Sequence, residues 1–151
     1  RIIKEVLTQL VRNAMYHGLE QAEERVAAGK DAVGSIMLSI ELHNDTIAIQ
    51  LGDDGKGIDF EAILKKALEE SLVPAETTLA DRNTLLHLLF TSGFSTAESA
   101  GMHAGRGVGL DLIRDRVREC KGSIKIQSDE GRGTTFRILL PVEEASGARS
   151  A

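Results

Sequence analysis

The sequence predicts an α+β fold, a two-layer sandwich in which a mixed, mostly antiparallel sheet carries helices on one face. Two observations support this prediction. Segments with alternating apolar residues come in pairs joined by short polar turns, which is typical of antiparallel hairpins. Segments with apolar residues at helical spacing lie outside these pairs, so strands and helices do not alternate as they do in a parallel sheet.

The first half of the chain begins with two helices. Residues 2–16 carry an apolar helical face made of Ile3, Leu7, Leu10 and Ala14, with Ile2, Val6 and Val11 beside them. A second, short helix rich in alanine and glutamate follows and ends at Gly29, because glycine readily adopts the left-handed conformation of a helix end. Alternating residues at 36–42 and 47–51, separated by "HND", then predict a hairpin.

The second half of the chain predicts helices over 60–72 and around "RNTLLHLLF". Residues 91–106 contain three glycines and show no period. Loops of that length in compact domains are commonly functional lids. A helix that includes Val108 and Val117 and ends at Gly122 follows, and "SIKIQS" and "TTFRILLPV" form a last hairpin.

Composition narrows the class of protein. The 151 residues include one cysteine and carry a net charge of -5, which argues against a nucleic-acid-binding protein because such proteins need a basic surface. No apolar run reaches the roughly 18 residues of a membrane span, so we expect no membrane insertion. A reducing, cytoplasmic setting fits the single cysteine. Residues 1–142 are interpreted as one domain and residues 143–151 as the start of a linker.

A glycine-rich turn, "AGRGVGLD", precedes the helix near the end of the chain. Gly105, Gly107 and Gly109 would let bare N–H groups face an anion at the positive end of that helix, where a phosphate would bind well. The alternative is a flexible loop that ends in a helix cap. No strand precedes the turn, so a dinucleotide-binding fold fits poorly, and the sequence contains no Walker-type loop.

A second glycine turn, "GDDGKGID", comes at the end of a strand. Asp53 would point inward and accept a hydrogen bond from an exocyclic amine such as that of adenine, while Gly55 and Gly57 leave room for a flat ligand. The alternatives are a plain strand-ending turn and a calcium loop. A calcium loop of the EF-hand type needs a glutamate at its twelfth position, where this chain has Leu64.

A polar stripe runs along the first helix. Gln9 and Asn13 are four residues apart, and Tyr16 and His17 follow on nearly the same side. An asparagine oxygen can bind magnesium when phosphates complete the coordination shell. For Asn13 taken alone, a solvated surface position is the competing interpretation.

Five segments together resemble a known family. "LVRNAMYHGLE", "DDGKGID", "LLFTSGFSTAE", "GRGVGLD" and "GRGTTFRILLP" are similar, in order and spacing, to the N, G1, F, G2 and G3 boxes of histidine-kinase ATPase domains, with the chemotaxis-kinase (CheA) subgroup as the best match. The resemblance covers nearly the whole chain. It implies the Bergerat ATP-binding fold, with ATP and Mg²⁺ as ligands.

The resemblance also implies roles for individual residues. Asn13 would bind Mg²⁺, Asp53 the adenine amine, and the lid with its glycines the phosphates. Lys65 or Lys66 would reach the phosphates or simply be solvated. The residues implied to contact the nucleotide are Asn13, His17, Asp53, Gly55, Gly57, Ile58, Lys66, Gly105, Arg106, Gly107, Val108, Gly109, Leu110, Thr134 and Thr135.

The implied activity is transfer of the ATP γ-phosphoryl group to a histidine on a separate phosphotransfer domain of the parent protein. Receptor-coupling and response-regulator proteins would act through other domains. Gln9 stands where the family has an acidic residue or a histidine, and its amide cannot act as a base. Gln9 and Asn13 are therefore the candidate catalytic positions. The alternative is a nucleotide-binding pseudokinase that regulates a signalling assembly without efficient transfer.

Overall fold

The computed structural model describes residues 2–91, 94 and 109–145, which fall into two compact units. The first unit holds the chain up to Ile58 and from Ile113 onward, and the second holds Asp59–Leu112. The elements are, in chain order, α1 Ile2–Asn13, a π-helical turn Ala14–Gly18, α2 Ala22–Ala27, β1 Ile36–His43, β2 Thr46–Asp53, α3 Phe60–Glu69, α4 Arg82–Leu89, α5 Leu110–Glu119, β3 Ser123–Asp129, β4 Gly133–Pro141 and α6 Val142–Ala145.

The sheet of the first unit has four strands in the order β1-β2-β4-β3. Both predicted hairpins are confirmed, since β1 pairs with β2 and β3 with β4. The central pairing of β2 with β4 brings Asp53 opposite Thr134 and Ile49 opposite Ile138. The α+β class is confirmed. Among the described residues the sheet is wholly antiparallel rather than mixed, because two hairpins joined side by side need no parallel pair.

One face of the sheet is buried. In β2 and β4 the side chains of Ile49, Leu51, Ile138 and Leu140 are at most 1% exposed, whereas Gln50, between the first two, is exposed. This is the period-two alternation of a strand with one solvent-facing side. The large apolar side chains buried on α1 and α5 of the same unit are Ile2, Val6, Leu10, Ile113 and Val117.

The first helix buries its predicted apolar face, with a different centre. Its most buried residues are Ile2, Val6 and Leu10, while Ile3 and Leu7 are only half-buried. The segment predicted as one helix over 2–16 also changes its winding after Asn13. There the Leu19 N–H donates to the oxygen of Ala14 at 2.8 Å, a bond that spans five residues and defines a π-turn.

The second unit contains α3 and α4. Asp59 caps α3 by accepting a hydrogen bond from the Ala62 N–H at 3.0 Å, and this helix ends at Glu69 rather than at residue 72. Arg82 at the start of α4 stacks on the Phe60 ring, 4.6 Å from its centre. Most of the predicted lid, 91–106, lies outside the described residues. None of the described helices is long and apolar enough to cross a membrane.

The end of β4 leads into a short helix. Val142–Ala145 forms α6, in which Ala145 is buried, and the Val142 N–H donates to the oxygen of Asp45 at 2.8 Å. The boundary at residue 142 between domain and linker stays a prediction, because residues 146–151 are outside the described part of the chain.

We predict that Ile138→Ala lowers the free energy of unfolding by about 3 kcal/mol, since it removes a fully buried side chain at the centre of the sheet. The matched control Leu42→Ala, at a side chain that is 67% exposed on the edge strand, should cost less than about 1 kcal/mol. Urea denaturation of the two variants measures the difference. Equal losses would contradict the assignment of the core.

Candidate functional site

The centre of the candidate site is the Asp53 carboxylate at the end of β2. Its Oδ1 accepts a hydrogen bond from the Gly55 N–H at 2.9 Å, and Thr134 lies opposite it on β4. Burial raises the pKa of Asp53, and the negative charges of Asp54 and Glu20 act in the same direction. The Gly55 and Thr134 amides lower that pKa but do not offset the burial. The carboxylate is thus partly withdrawn from water and held by neutral donors.

Three glycines pack around this carboxylate. A Cβ on Gly18 would lie 3.0 Å from Asp53 Oδ2, one on Gly133 would collide with the Asp53 backbone oxygen, and one on Gly55 would collide with the oxygen of Gly18. A larger residue at Gly55 or Gly133 would force two backbone segments apart, and one at Gly18 would displace the Asp53 carboxylate. The glycines therefore allow three chain segments to meet at Asp53.

This packing changes the reason assigned to two predicted glycines. Gly55 and Gly57 were expected to leave room for a flat ligand. In the structure a Cβ on Gly55 would meet the Gly18 backbone, and one on Gly57, whose φ is +77°, would meet the oxygen of Asp129. Both glycines are required by the approach of the chain to itself.

A hydroxyl cluster made of Ser128 and Thr134 connects the segment after β2 to the adjoining ends of β3 and β4. The Ile58 N–H donates to Ser128 Oγ at 2.7 Å, Ser128 Oγ donates to the oxygen of Gly133 at 3.2 Å, and it lies 3.0 Å from Thr134 Oγ1. Thr134 is buried and Thr135 is half-buried. The cluster links the segment after Asp53 to β3 and β4, so Ile58 and Thr134 belong to one connected region.

The polar residues of α1 lie in the same unit as Asp53, and the π-turn connects this helix to Gly18. Gln9 Nε2 donates to Asn13 Oδ1 at 3.4 Å, a long bond that leaves this oxygen weakly held. Asn13 ends α1, and the π-turn that follows ends at Gly18, the residue packed on Asp53. His17 is exposed and directly precedes Gly18. π-turns of this kind are frequent at functional sites.

A group of charged residues that the sequence analysis did not identify lies around Asp54, the residue that follows Asp53. Arg25 forms ion pairs with Glu20 and Asp54, each at 3.0 Å, and Lys30 forms one with Glu20 at 2.7 Å. Burial by itself raises the pKa of Glu20, but Lys30 and Arg25 outweigh it and the pKa is lowered. The Ser35 amide and Arg25 lower the pKa of Asp54 against a smaller effect of burial.

The remaining predicted site residues fall in the second unit or outside the described residues. Lys66 lies over the Phe94 ring, 5.0 Å from its centre, and 4.0 Å from Glu70 Oε1. Gly109 is exposed and Leu110 begins α5. Gly105, Arg106, Gly107 and Val108 lie outside the described residues. The phosphate-binding roles of all of these stay predictions.

Gly18, Ser128 and Gly133 were also missed as site residues. Gly18 and Gly133 stand within two of the quoted motifs, "LVRNAMYHGLE" and "GRGTTFRILLP", and this was the signal that could have found them. Ser128 had no such signal, because its contacts depend on the fold. No group of three or more His, Cys, Asp or Glu side chains within residues 2–91, 94 and 109–145 could hold a metal ion.

Comparison with known proteins places these features in a family. The family model described as "Histidine kinase-, DNA gyrase B-, and HSP90-like ATPase" matches residues 1–144. The chain is 44% identical to chemotaxis protein CheA of Salmonella typhimurium over 136 residues, covering 90% of the chain and 20% of that protein. It is 40% identical to CheA of Rhizobium meliloti over 140 residues, covering 93% of the chain and 18% of that protein.

Solved structures agree on the fold. The catalytic domain of histidine kinase ThkA superposes with a TM-score of 0.53 at 21% identity, covering 95% of this chain and 69% of that one. The chain spans about a fifth of the length of the two curated relatives described above. The resemblance predicted from the five motifs is confirmed, and the chain belongs to the histidine kinase-, DNA gyrase B- and HSP90-like ATPase family.

Proposed function

We propose that this chain is the ATP-binding catalytic domain of a CheA-like histidine kinase, and that it transfers the ATP γ-phosphoryl group to a histidine on a separate phosphotransfer domain. The observation that carries the proposal is the partly buried Asp53 carboxylate. It accepts hydrogen bonds from neutral backbone amides at the point where three glycine-bearing segments meet. The similarity to chemotaxis protein CheA supports the choice of reaction.

Asp53 suits an adenine base. The exocyclic amine of adenine is a neutral donor, and an ionised carboxylate in a partly dry setting gains more from such a bond than it would in water. Gly55 and Thr134 already satisfy part of its capacity, which leaves acceptor capacity on the carboxylate for the base. Gly57, Ile58, His17 and Thr135 complete the proposed adenine side.

Asn13 suits a magnesium ion bound together with a triphosphate. Its Oδ1 is a hard oxygen ligand, and its bond to Gln9 at 3.4 Å is weak enough for a cation to displace. Mg²⁺, when bound, neutralises charge on the phosphates during transfer. The segment from Gly105 to Leu110 is proposed to bind the phosphates through its backbone N–H groups.

The residues of this chain would contribute positioning rather than covalent chemistry, because phosphoryl transfer depends on alignment and charge stabilisation. Gln9 does not titrate and cannot accept the proton of the attacking imidazole. A nucleotide-binding pseudokinase is therefore the second candidate function, and it is favoured by this one residue. We place the kinase first because an imidazole is nucleophilic without a base when the geometry is right.

The parent protein is proposed to act in two-component chemotaxis signalling in the cytoplasm. Its partners would be its own phosphotransfer domain and, through other domains, receptor-coupling and response-regulator proteins. This chain provides only the nucleotide-binding step and the transfer step.

We predict that Asp53→Asn weakens binding of a non-hydrolysable ATP analogue with Mg²⁺ by about 10- to 100-fold, the worth of a hydrogen bond to a charged group. Asp115→Asn, at an exposed carboxylate of α5, is the charge-matched control and should leave affinity unchanged. Isothermal titration calorimetry measures both variants. Unchanged affinity in Asp53→Asn would refute the assigned role of Asp53.

We also predict that nucleotide affinity falls as the pH is lowered from about 7 toward about 4.5, ahead of an ordinary aspartate, because the pKa of Asp53 is raised and its protonated form no longer accepts from the amine. Stability follows the opposite sign. The native carboxyl holds its proton more tightly than the unfolded one, so Asp53 favours the folded state as pH falls through its raised pKa.

The measurement is calorimetry across this range with Asp53→Asn as the reference, since that variant retains every other titrating group. The difference between the two profiles reports Asp53 alone. A difference that does not change with pH would show that the ionised carboxylate has no part in binding.

We predict that labelled ATP, Mg²⁺, this chain and the phosphotransfer domain of the parent protein give a labelled acceptor. Asn13→Ala should lose most of the label because it lacks the metal ligand, and Gln9→Glu should retain affinity and preserve or raise the rate. If the chain binds nucleotide but the acceptor stays unlabelled in both the unsubstituted and the Gln9→Glu forms, the pseudokinase is the correct assignment.

A further inference from the structure

Two cations of the first unit are directed into the turn after β2. Arg25 is only 1% exposed, and a guanidinium buried to that degree is destabilising unless its N–H groups find acceptors. Its Nε donates to the oxygen of Asp31 at 2.7 Å. Its Nη1 donates to Glu20 Oε1 at 3.0 Å and to the Asp54 backbone oxygen at 3.2 Å, and its Nη2 donates to Asp54 Oδ2 at 3.0 Å.

Lys30 reaches the same turn from the other side of Glu20. Its Nζ donates to Glu20 Oε2 at 2.7 Å, to the Asp54 backbone oxygen at 3.0 Å and to the Gly55 backbone oxygen at 2.8 Å. These three acceptors match the three N–H donors of an ammonium group. Two of the three are therefore backbone carbonyls of the segment that carries Asp53.

The two backbone carbonyls that accept from Lys30 belong to consecutive peptide units. The N–H groups of these units point into the candidate site. Neither peptide bond is cis, so the C=O and the N–H of each planar unit point in opposite directions. The unit with the Asp54 oxygen carries the Gly55 N–H, which donates to Asp53 Oδ1 at 2.9 Å. The unit with the Gly55 oxygen carries the Lys56 N–H, which donates to the oxygen of Gly18 at 2.8 Å.

The contact of Lys30 with the oxygen of each peptide unit therefore determines where the N–H on its opposite side points. Fixing the oxygen of a rigid plane fixes the direction of its N–H. A cation on the oxygen also polarises the unit, and this makes the N–H a stronger donor. The first N–H sets the orientation of the Asp53 carboxylate, and the second holds Gly18 against it.

We propose that Lys30, supported by Arg25, is a positioning residue for adenine recognition: it orients the Asp53 carboxylate through the peptide units of Asp54 and Gly55 without touching the nucleotide. This inference rests on the proposed function, in which Asp53 binds the adenine amine. A role limited to stability would require only the ion pair with Glu20, whereas the two carbonyl contacts tie Lys30 to the geometry of the site.

The test compares two ligands on the 151-residue chain and its variants. ADP carries the exocyclic amine, and purine riboside 5′-diphosphate lacks only that amine. Lys30→Met should weaken ADP binding about tenfold and the amine-free analogue less than about twofold, since only ADP uses the oriented carboxylate. Lys30→Arg should restore most of the ADP affinity because it returns a cation to the two carbonyls.

Lys121→Met is the matched control. Lys121 also forms one ion pair, with Glu144 at 3.6 Å, but its side chain is 79% exposed, and its substitution should change neither affinity. Thermal denaturation of each variant without ligand separates loss of fold from loss of recognition. If Lys30→Met does not fold, Lys30→Gln takes its place, and its loss of ADP affinity should again exceed its loss for the analogue.

Three results decide the matter. If the unsubstituted chain does not prefer ADP to the amine-free analogue, the proposed role of Asp53 is wrong and the inference falls with it. If that preference exists and Lys30→Met retains it in full, or loses affinity for both ligands equally, only the role of Lys30 is wrong. A selective loss for ADP that Lys30→Arg reverses establishes Lys30 as a positioning residue.

Discussion

The Asp53 carboxylate at the end of β2 is the interaction on which the rest of the site depends. It is partly removed from water and burial raises its pKa, while the backbone donors placed around it favour the ionised form. The donors come from different parts of the chain, Gly55 two residues later and Thr134 on β4. The sheet register, which sets Asp53 opposite Thr134, is thus a requirement of the site as well as of the fold.

The glycines follow from the same constraint. For amide groups to reach one carboxylate, three backbone segments must approach more closely than side chains allow. Gly18, Gly55 and Gly133 make that approach possible, because a Cβ on any of them would meet the Asp53 carboxyl or a backbone oxygen. Gly55 and Gly57 were predicted to leave room for a ligand, whereas in the structure the absence of their side chains leaves room for the backbone.

The sequence predicted those features that depend on local pattern. Alternation along residues 36–42 and 47–51 identified the first hairpin, and the placement of Asp53 at a strand end followed from it. The π-turn after Asn13 left no signal, because its residues continue an ordinary helical pattern. Arg25 and Lys30 were unremarked for a similar reason, since charged residues on a short helix and in the following loop are usually solvated. Their burial comes from segments far away in the chain.

The carboxylates around the turn after β2 stand in two different electrostatic environments. Glu20 and Asp54 lie beside Arg25 and Lys30, and their pKa values are lowered. Asp53 is their neighbour, yet within the described residues its hydrogen-bond donors are backbone amides, and its pKa is raised. Environment, rather than residue type, assigns the roles.

That separation suits a neutral ligand donor. A cation paired directly with Asp53 would stabilise the carboxylate but would compete with an uncharged amine, which offers a weaker bond than a full positive charge. Binding Lys30 to Glu20 and to the carbonyls of Asp54 and Gly55 keeps the charge one peptide away from the carboxylate. The cation still acts on the backbone through its charge and its hydrogen bonds, while Asp53 keeps acceptor capacity for the proposed adenine base.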